Sequence, residues 1–405
     1  MITFSEHITE QKNTHMTHIE DKVLYGGVKG TRQAILALRE LRKMLGGEKD
    51  GNVSVKWDGA PAIFAGTDPS DGQFFVAKKG IFNKNPKIYK SASDVDADTS
   101  GDLADKLKDA LRYLPSIGIK GVIQGDFLFS KSDVGKSKIK GKPYVTFHPN
   151  TIIYAVPDGT LASKEIKKAK LGIVWHTTYN GKTFETMKAS YGVDVSKLKK
   201  VSNVWSQDAM LRDLTKYTMS ASDTELVDGY ISEMGKMFNK ISGTTLRQLE
   251  KDQTLAQTIE TYGNKFVRKG EIIKDTNRHV DGLIRHINEL FGKEADKRKT
   301  AKGKSVQIGK RDDMLKFFSK QNKKSLKMMF DLQKLIVLAK LKLINILNRL
   351  SNVDTFVKTK TGFKTTGPEG YVAIDRLGGD AVKIVDRMEF SYNNFSPDIL
   401  KGWDK

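Results

Sequence analysis

The chain has 405 residues, with 69 Lys plus Arg against 48 Asp plus Glu, a net charge of +21 and no cysteine. That length supports a sizeable buried core and two or three structural units. The absence of cysteine excludes disulfides, thiol catalysis, zinc knuckles and iron–sulfur ligation, and the cationic excess favours polyanionic partners such as nucleic acid over small neutral metabolites.

The start, MITFSEHITEQ, has no basic-then-apolar leader pattern. The most apolar run, 335–347, is broken by Lys340 and Lys342. Neither a signal peptide nor a membrane span is therefore expected, and a cytoplasmic location is. Residues 1–50 read as an N-terminal helical lead-in, because Ile35, Leu38, Leu41, Met44 and Leu45 recur at spacings of three and four. From Val53 the period changes to that of strands: NVSVKWDGAPAIFAG reads as strand, turn, strand, and QFFVAKKG as another. SASDVDADTSGD reads as a polar stretch whose Thr99 and Ser100 cap the helix ADKLKDALRYL. GVIQGDFLF, PYVTF, TIIYAV and LGIVWHTTY are four further strands. After Trp205 strand signals nearly vanish for about 150 residues. FDLQKLIVLAKLKLINILNRL is the strongest helix there and apolar enough to form a packed centre. Strands return in DTFVKTKTGFKTT, GYVAID and AVKIVD. The expectation is an α+β fold with one β-rich unit, 51–205 plus 351–390, interrupted by a basic helical insertion, 206–350.

Between residues 291 and 350 there are 17 Lys plus Arg and five Asp plus Glu, more than half of the whole excess. This segment is either a solvated basic helix face or a nucleic-acid surface. Its few aromatics point to backbone tracking rather than base stacking. Two Gly-Lys-Ser triplets, at Gly135 and Gly303, lack the earlier glycine of a phosphate loop, having Ser130 and Arg298 in its place. His15 and His18 lack a third ligand for a metal.

Lys56 stands two residues before Asp58-Gly59, between two strand signals. Four more features follow it in order: Lys78-Lys79 beside Gly80, Asp126 in QGDFLF, Trp175 in GIVWHTTY, and Glu369 in GPEGYVAID with Lys383 in AVKIVDR. Asp126 also suits a turn, Trp175 suits ordinary core, and Lys78 and Lys79 suit a plain surface.

This ordered set resembles the covalent nucleotidyltransferases, namely ATP-dependent DNA and RNA ligases and messenger-RNA capping enzymes. Lys56-Trp57-Asp58-Gly59 looks like their first motif, Gly125-Asp126 like the third, and Val174-Trp175 like the strand supplying an aromatic that stacks on the base. Glu369-Gly370-Tyr371-Val372 is similar to the fourth motif and Val382-Lys383-Ile384-Val385 to the fifth. The resemblance implies a ligase-type, ATP-grasp-like pair of antiparallel sheets with flanking helices. It implies ATP (GTP stays open) and Mg²⁺ or Mn²⁺ as cofactors, and Lys56 as the residue that takes the nucleotide. Lys383 would help at the α-phosphate. Asp58, Gly59, Lys78, Lys79, Asp126, Trp175, Glu369 and Lys383 would hold the nucleotide with Lys56, and Asp126 and Glu369 the metal. The Lys56 amine must be unprotonated to attack, which crowding by Lys78, Lys79, Lys383 and the cation would favour. Four departures are Pro61 where the family has Arg or Asn, Asp126 in place of Glu, Val385 in place of a second lysine, for which Lys360, Lys364 or Arg387 are candidate substitutes, and an insertion before Glu369 far longer than usual. Only 18 residues follow Arg387, too few for the β-barrel of DNA ligases and capping enzymes. The expected activity is thus sealing of a polynucleotide, RNA before DNA. Nucleotidyl transfer to a non-nucleic-acid acceptor and a non-catalytic binding homologue are the alternatives.

Overall fold

A computed structural model describes residues 17–48, 52–211, 219–350, 353–374 and 381–404; His15 and the first part of the lead-in lie outside them. The strands before the helical stretch are β1 (Asn52–Lys56), β2 (Ala62–Thr67), β3 (Phe74–Ala77), β4 (Ile88–Tyr89), β5 (Val122–Ser130) and β6 (Gly135–Ile139). They continue with β7 (Lys142–Phe147), β8 (Ile153–Pro157), β9 (Leu171–Asn180), β10 (Lys188–Tyr191), β11 (Val204–Asp208) and β12 (Met210–Leu211). After the helices come β13 (Asp354–Thr359), β14 (Gly362–Thr365), β15 (Gly370–Ile374), β16 (Ala381–Ile384) and β17 (Ile399–Leu400).

These strands make three mainly antiparallel sheets, ordered β12-β1-β15-β16, β10-β9-β5-β2-β3-β4 with β11 also on β9, and β14-β13-β8-β7-β6 with β17 also on β13. Strands from both sides of the helical stretch share the first and third sheets, because β1 pairs with β15 and β8 with β13. The fold is α+β, with antiparallel sheets and a long helical segment between their two halves.

The lead-in does not stand apart. Helix Gly27–Leu45 buries Ile35, Leu38, Leu41, Met44 and Leu45 in one core with the helices Ala221–Phe238, Gly243–Lys251 and Lys320–Leu347. Helix Lys320–Leu347 buries residues on much of its circumference and is the centre of that core, as an all-round apolar pattern requires.

The polar stretch after Lys90 is itself helical, over Ala92–Asp98. Ser91 and Asp94 form a reciprocal capping box there, which supplies the nucleation that its apolar content does not. Ser100 is the N-cap of Gly101–Tyr113 but its side chain makes no capping bond. The first Gly-Lys-Ser triplet lies on β6 and the second inside helix Ala301–Leu315, so neither forms a loop around a phosphate. Among the described residues no helix is long and apolar enough to cross a membrane.

Candidate active site

The site follows from the alternation of side chains along the first sheet. Val53, Tyr371, Val382 and Ile384 lie on one face and are buried in the helical core, with Val55 packed against it. The register pairs Lys56 with Gly370, Ser54 with Val372, and Val372 with Lys383. Lys56 and Lys383 therefore occupy the opposite face, because a residue directly across an antiparallel pair shares its partner's side. The apolar residues fix that choice, since a one-residue slip would bury both lysines.

Glu369 immediately precedes Gly370 and ion-pairs with Lys56, whose side chain is 29% exposed against 11% for Glu369. Burial raises the Glu369 carboxyl above its ordinary range, with Lys56 and Lys383 opposing and Asp58 adding to the rise. Burial likewise lowers the Lys383 amine, and the Lys56 charge lowers it further. The Lys383 ammonium sits 5.3 Å from the centre of the Phe390 ring.

Asp126 comes from the second sheet. The loop after β1 brings it close: Gly59 approaches β5 so tightly that a Cβ there would lie 2.6 Å from the Asp126 Cβ, which only glycine tolerates. The Ala60 N–H donates to the Phe127 carbonyl at 2.9 Å, and the Phe127 N–H to the Pro61 carbonyl at 3.0 Å. Pro61 thus serves to clamp the loop on β5. Burial, opposed by Lys56 and Lys79 and aided by Asp58, pushes the Asp126 carboxyl up to about 7. Lys56, Lys79, Asp126, Glu369 and Lys383 form one electrostatic neighbourhood.

Four expected site residues have other duties. Asp58 is buried and its carboxylate accepts from the Asn150 amide (2.7 Å) and from the backbone N–H groups of Thr151 (2.7 Å) and Ile152 (2.9 Å). Its own N–H donates to the Tyr154 hydroxyl at 2.6 Å. It anchors the Lys56 loop to the third sheet rather than reaching for a ligand. Asp58→Ala is expected to lower stability by about 3 kcal/mol, measured by chemical denaturation, because three donors to a charged acceptor lose their partner. Gly59 is a close-approach residue, as just described. Lys78 pairs with Asp98 at 3.2 Å, a carboxylate it shares with Lys87 and the Tyr89 hydroxyl, so it does not crowd Lys56. Trp175 is fully buried, donates its indole N–H to the Ser206 hydroxyl at 2.9 Å, and packs in the core beneath the second sheet. It is no base platform. A Cβ on Gly125 would meet that ring at 2.7 Å, so the glycine before Asp126 makes room for the indole.

The ring that lies beside Asp126 is His176. The β5–β9 register places Gln124 opposite Thr177 and Gly125 opposite Trp175, leaving His176 as the extra residue of a bulge. Bulges re-aim side chains in this way. The His176 Nε2 lies 3.8 Å from Asp126 Oδ2, and burial followed by the Lys56 charge lowers the imidazole to about 4, so it is neutral. The continuous apolar run Leu171–Trp175 hides this turn in the sequence, because nothing in it breaks the period.

Two of the three candidate substitutes for a second fifth-motif lysine are otherwise engaged. Arg387 donates to both Asp21 oxygens (3.0 and 2.9 Å) and to Asn264, and Lys364 lies 4.6 Å from the Tyr392 ring. Lys360 forms no ion pair among the described residues. His18 forms a parallel bridge to Lys383, so the lead-in clips the strand that carries this lysine, a contact with no local sequence signal.

A cavity of about 20 Å³ behind Glu369, touching Asp58, Gly370 and Phe390, is only water-sized; an open cleft of about 780 Å³ adjoins it at Pro368, Asp386, Glu389 and Asn393. Among the described residues no three His, Asp or Glu side chains are grouped to hold a metal ion. The donor set fits Mg²⁺ or Mn²⁺ only in the manner of sites completed by water and substrate phosphates, with one or two carboxylates from the protein.

An α+β protein with two lysines and two carboxylates converging from separate sheets is the class that fold and site define. The chain matches, over residues 13–398, a family of unknown function, DUF6267, and belongs to that family. No curated protein and no solved structure matches it.

Proposed function

We propose that the protein is an ATP-dependent polynucleotide ligase, acting on RNA before DNA through a covalent lysyl-AMP intermediate on Lys56. The observation that carries this reading is that Lys56 and Lys383 share one face of the first sheet, Glu369 pairs with Lys56, and Asp126 of the second sheet lies within the influence of the Lys56 charge. The Lys56 amine attacks the α-phosphorus of ATP. A bond forms from Nζ to phosphorus, the bond to the bridging oxygen breaks, and pyrophosphate leaves. Glu369, already paired with this amine and made more basic by burial, takes the proton. Lys383 meets charge growing on the α-phosphate oxygens, where a fixed cation stabilises the transition state most. Asp126 holds a ribose hydroxyl, and with Glu369 would hold Mg²⁺ or Mn²⁺ through water. When bound, that ion supplies charge neutralisation at the phosphates. AMP then passes to a nucleic-acid 5′-phosphate, and a 3′-hydroxyl displaces it to seal the strand.

Incubation with α-labelled ATP and Mg²⁺ tests this. The expected product is a label on the peptide containing Lys56 that survives alkali but is lost in acid, as the phosphorus–nitrogen bond of a phosphoramidate requires, and that nicked RNA discharges. A label that nicked or broken strands do not discharge would indicate another acceptor, and no label under any nucleotide would leave a non-catalytic binding protein. In this reading the base lies against His176 rather than Trp175. His176→Ala is expected to raise the ATP concentration for half-maximal labelling about tenfold with little change in stability, whereas Trp175→Ala should cost about 4 kcal/mol of stability.

The helical segment supplies the nucleic-acid grip in this reading. Between Lys316 and Lys342, four lysines are held by acids: Lys316 by Asp313, Lys334 by Asp331, Lys340 by Glu20 and Lys342 by Asp223. Lys320, Lys323, Lys324 and Lys327 form no ion pair among the described residues and gather at the start of helix Lys320–Leu347. Changing these four to Glu is expected to weaken RNA binding and flatten the dependence of log affinity on log salt by about 3. An unchanged slope would refute the grip.

A further inference from the structure

A second cavity, of about 250 Å³, opens on the other side of the Arg387 network, where the lead-in, the helical segment and the start of helix Arg387–Phe395 meet. Its walls are apolar and aromatic, including Leu24, Phe266, Phe330, Val337 and Leu341. Two large apolar side chains at its edge, Ile272 and Leu338, are 65% and 47% exposed. On a chain with a net charge of +21, this lining carries five carboxylates, Glu20, Asp21, Glu260, Glu271 and Asp386, and only three cations, Lys334, Lys340 and Arg387.

We propose that this cavity binds a small organic cation, an alkyl- or arylammonium whose apolar body lies against Phe266, Phe330 and Leu341 while its N–H donors meet the acidic side and His279. The cations already present are committed. Lys340 donates to both Glu20 oxygens, at 2.7 and 2.8 Å, and Arg387 to both Asp21 oxygens. Glu260 is left with the Tyr25 hydroxyl and a looser Arg387 contact at 3.8 Å, and Glu271 has no ion pair among the described residues.

An independent observation is His279. This residue lines the cavity, is only 5% exposed, and its Nε2 has no hydrogen-bond partner among the described residues. A buried polar atom left so is destabilising, and an incoming donor relieves it. Burial lowers the imidazole to about 4, so the ring is neutral and can accept from an ammonium. The ring also packs against Tyr262, Phe266 and Phe330, at 4.8, 5.0 and 4.7 Å between centroids. A cation beside such rings gains further from their faces.

The proposal does not depend on nucleotidyl transfer. Its test is titration of the full chain at pH 7 with 2-phenylethylammonium and, as the counterpart of opposite charge, 3-phenylpropionate, by calorimetry and ligand-detected NMR. The expected result is saturable one-site binding of the cation, with the anion at least about tenfold weaker. Val337→Trp, which fills the cavity, should abolish binding. Leu338→Arg places a positive charge at the exposed mouth without touching the core, and should weaken the cation at least about fivefold while preserving the melting temperature. Equal affinity for the two charges, no saturation by the cation, or unchanged binding by a folded Leu338→Arg variant would overturn it.

Discussion

Lys56→Met is expected to remove all covalent labelling by α-labelled ATP, a loss greater than about 10³-fold, without lowering the melting temperature. The first half follows from chemistry: methionine has no nucleophilic nitrogen, and no neighbouring amine replaces it. Lys383 lies on the same face but two strands away, and Lys79 opens the short turn after β3 of the second sheet. The second half follows from burial. Lys56 is partly exposed, and its removal leaves Glu369 free to take up a proton, because burial already raises that carboxyl. A partly exposed ion pair contributes little net stability. Labelling of the methionine variant at the wild-type rate would end the lysyl-AMP reading, whereas a folded variant without label would leave it standing. Lys383→Met should behave differently. It retains the nucleophile and should slow labelling about 10²–10³-fold at saturating ATP, the size expected when one fixed charge at a developing anion is lost.

The sequence made the order of the strands and their division by helices legible because period-2 alternation and turn residues are local signals. Val53 and Val55 alternate with Ser54 and Lys56, and that alone sends the lysine to the face away from the core. Three features were not legible, each because it depends on a partner distant in the chain. Asp58 looked like a ligand-binding acid, but its acceptors are spent on Asn150, Thr151 and Ile152, more than 90 residues later. Trp175, expected to stack on the base, is turned into the core while His176 is turned towards Asp126, because of one extra residue in the β5–β9 ladder. Lys340 looked like part of a basic face, yet it is among the most buried side chains in the protein.

Lys340→Met is expected to destabilise the helical core by about 3–5 kcal/mol, read from far-ultraviolet circular dichroism in urea. The Lys340 and Glu20 side chains are 1% and 5% exposed, so methionine leaves a carboxylate without its ammonium in a site closed to water. Burial alone would raise the Glu20 carboxyl; Lys340, with His18 and Arg387, holds it down to about 2. A carboxyl lowered in the folded state contributes stability that is complete above its ordinary value near 4.5 and is lost as pH falls through about 2. In the methionine variant the sign reverses. Burial then dominates, the folded carboxyl titrates above its unfolded value, and the penalty is full at neutral pH but fades as pH falls through that raised value. The gap between variant and wild type should therefore narrow between pH 7 and pH 5. Adding Glu20→Leu should restore most of the loss at pH 7, since replacing both members of a buried pair by apolar side chains is often neutral or better. A double variant as unstable as Lys340→Met would mean that the Glu20 charge is not the source of the penalty, and that the ammonium instead orders the turn around His18, which clips Lys383.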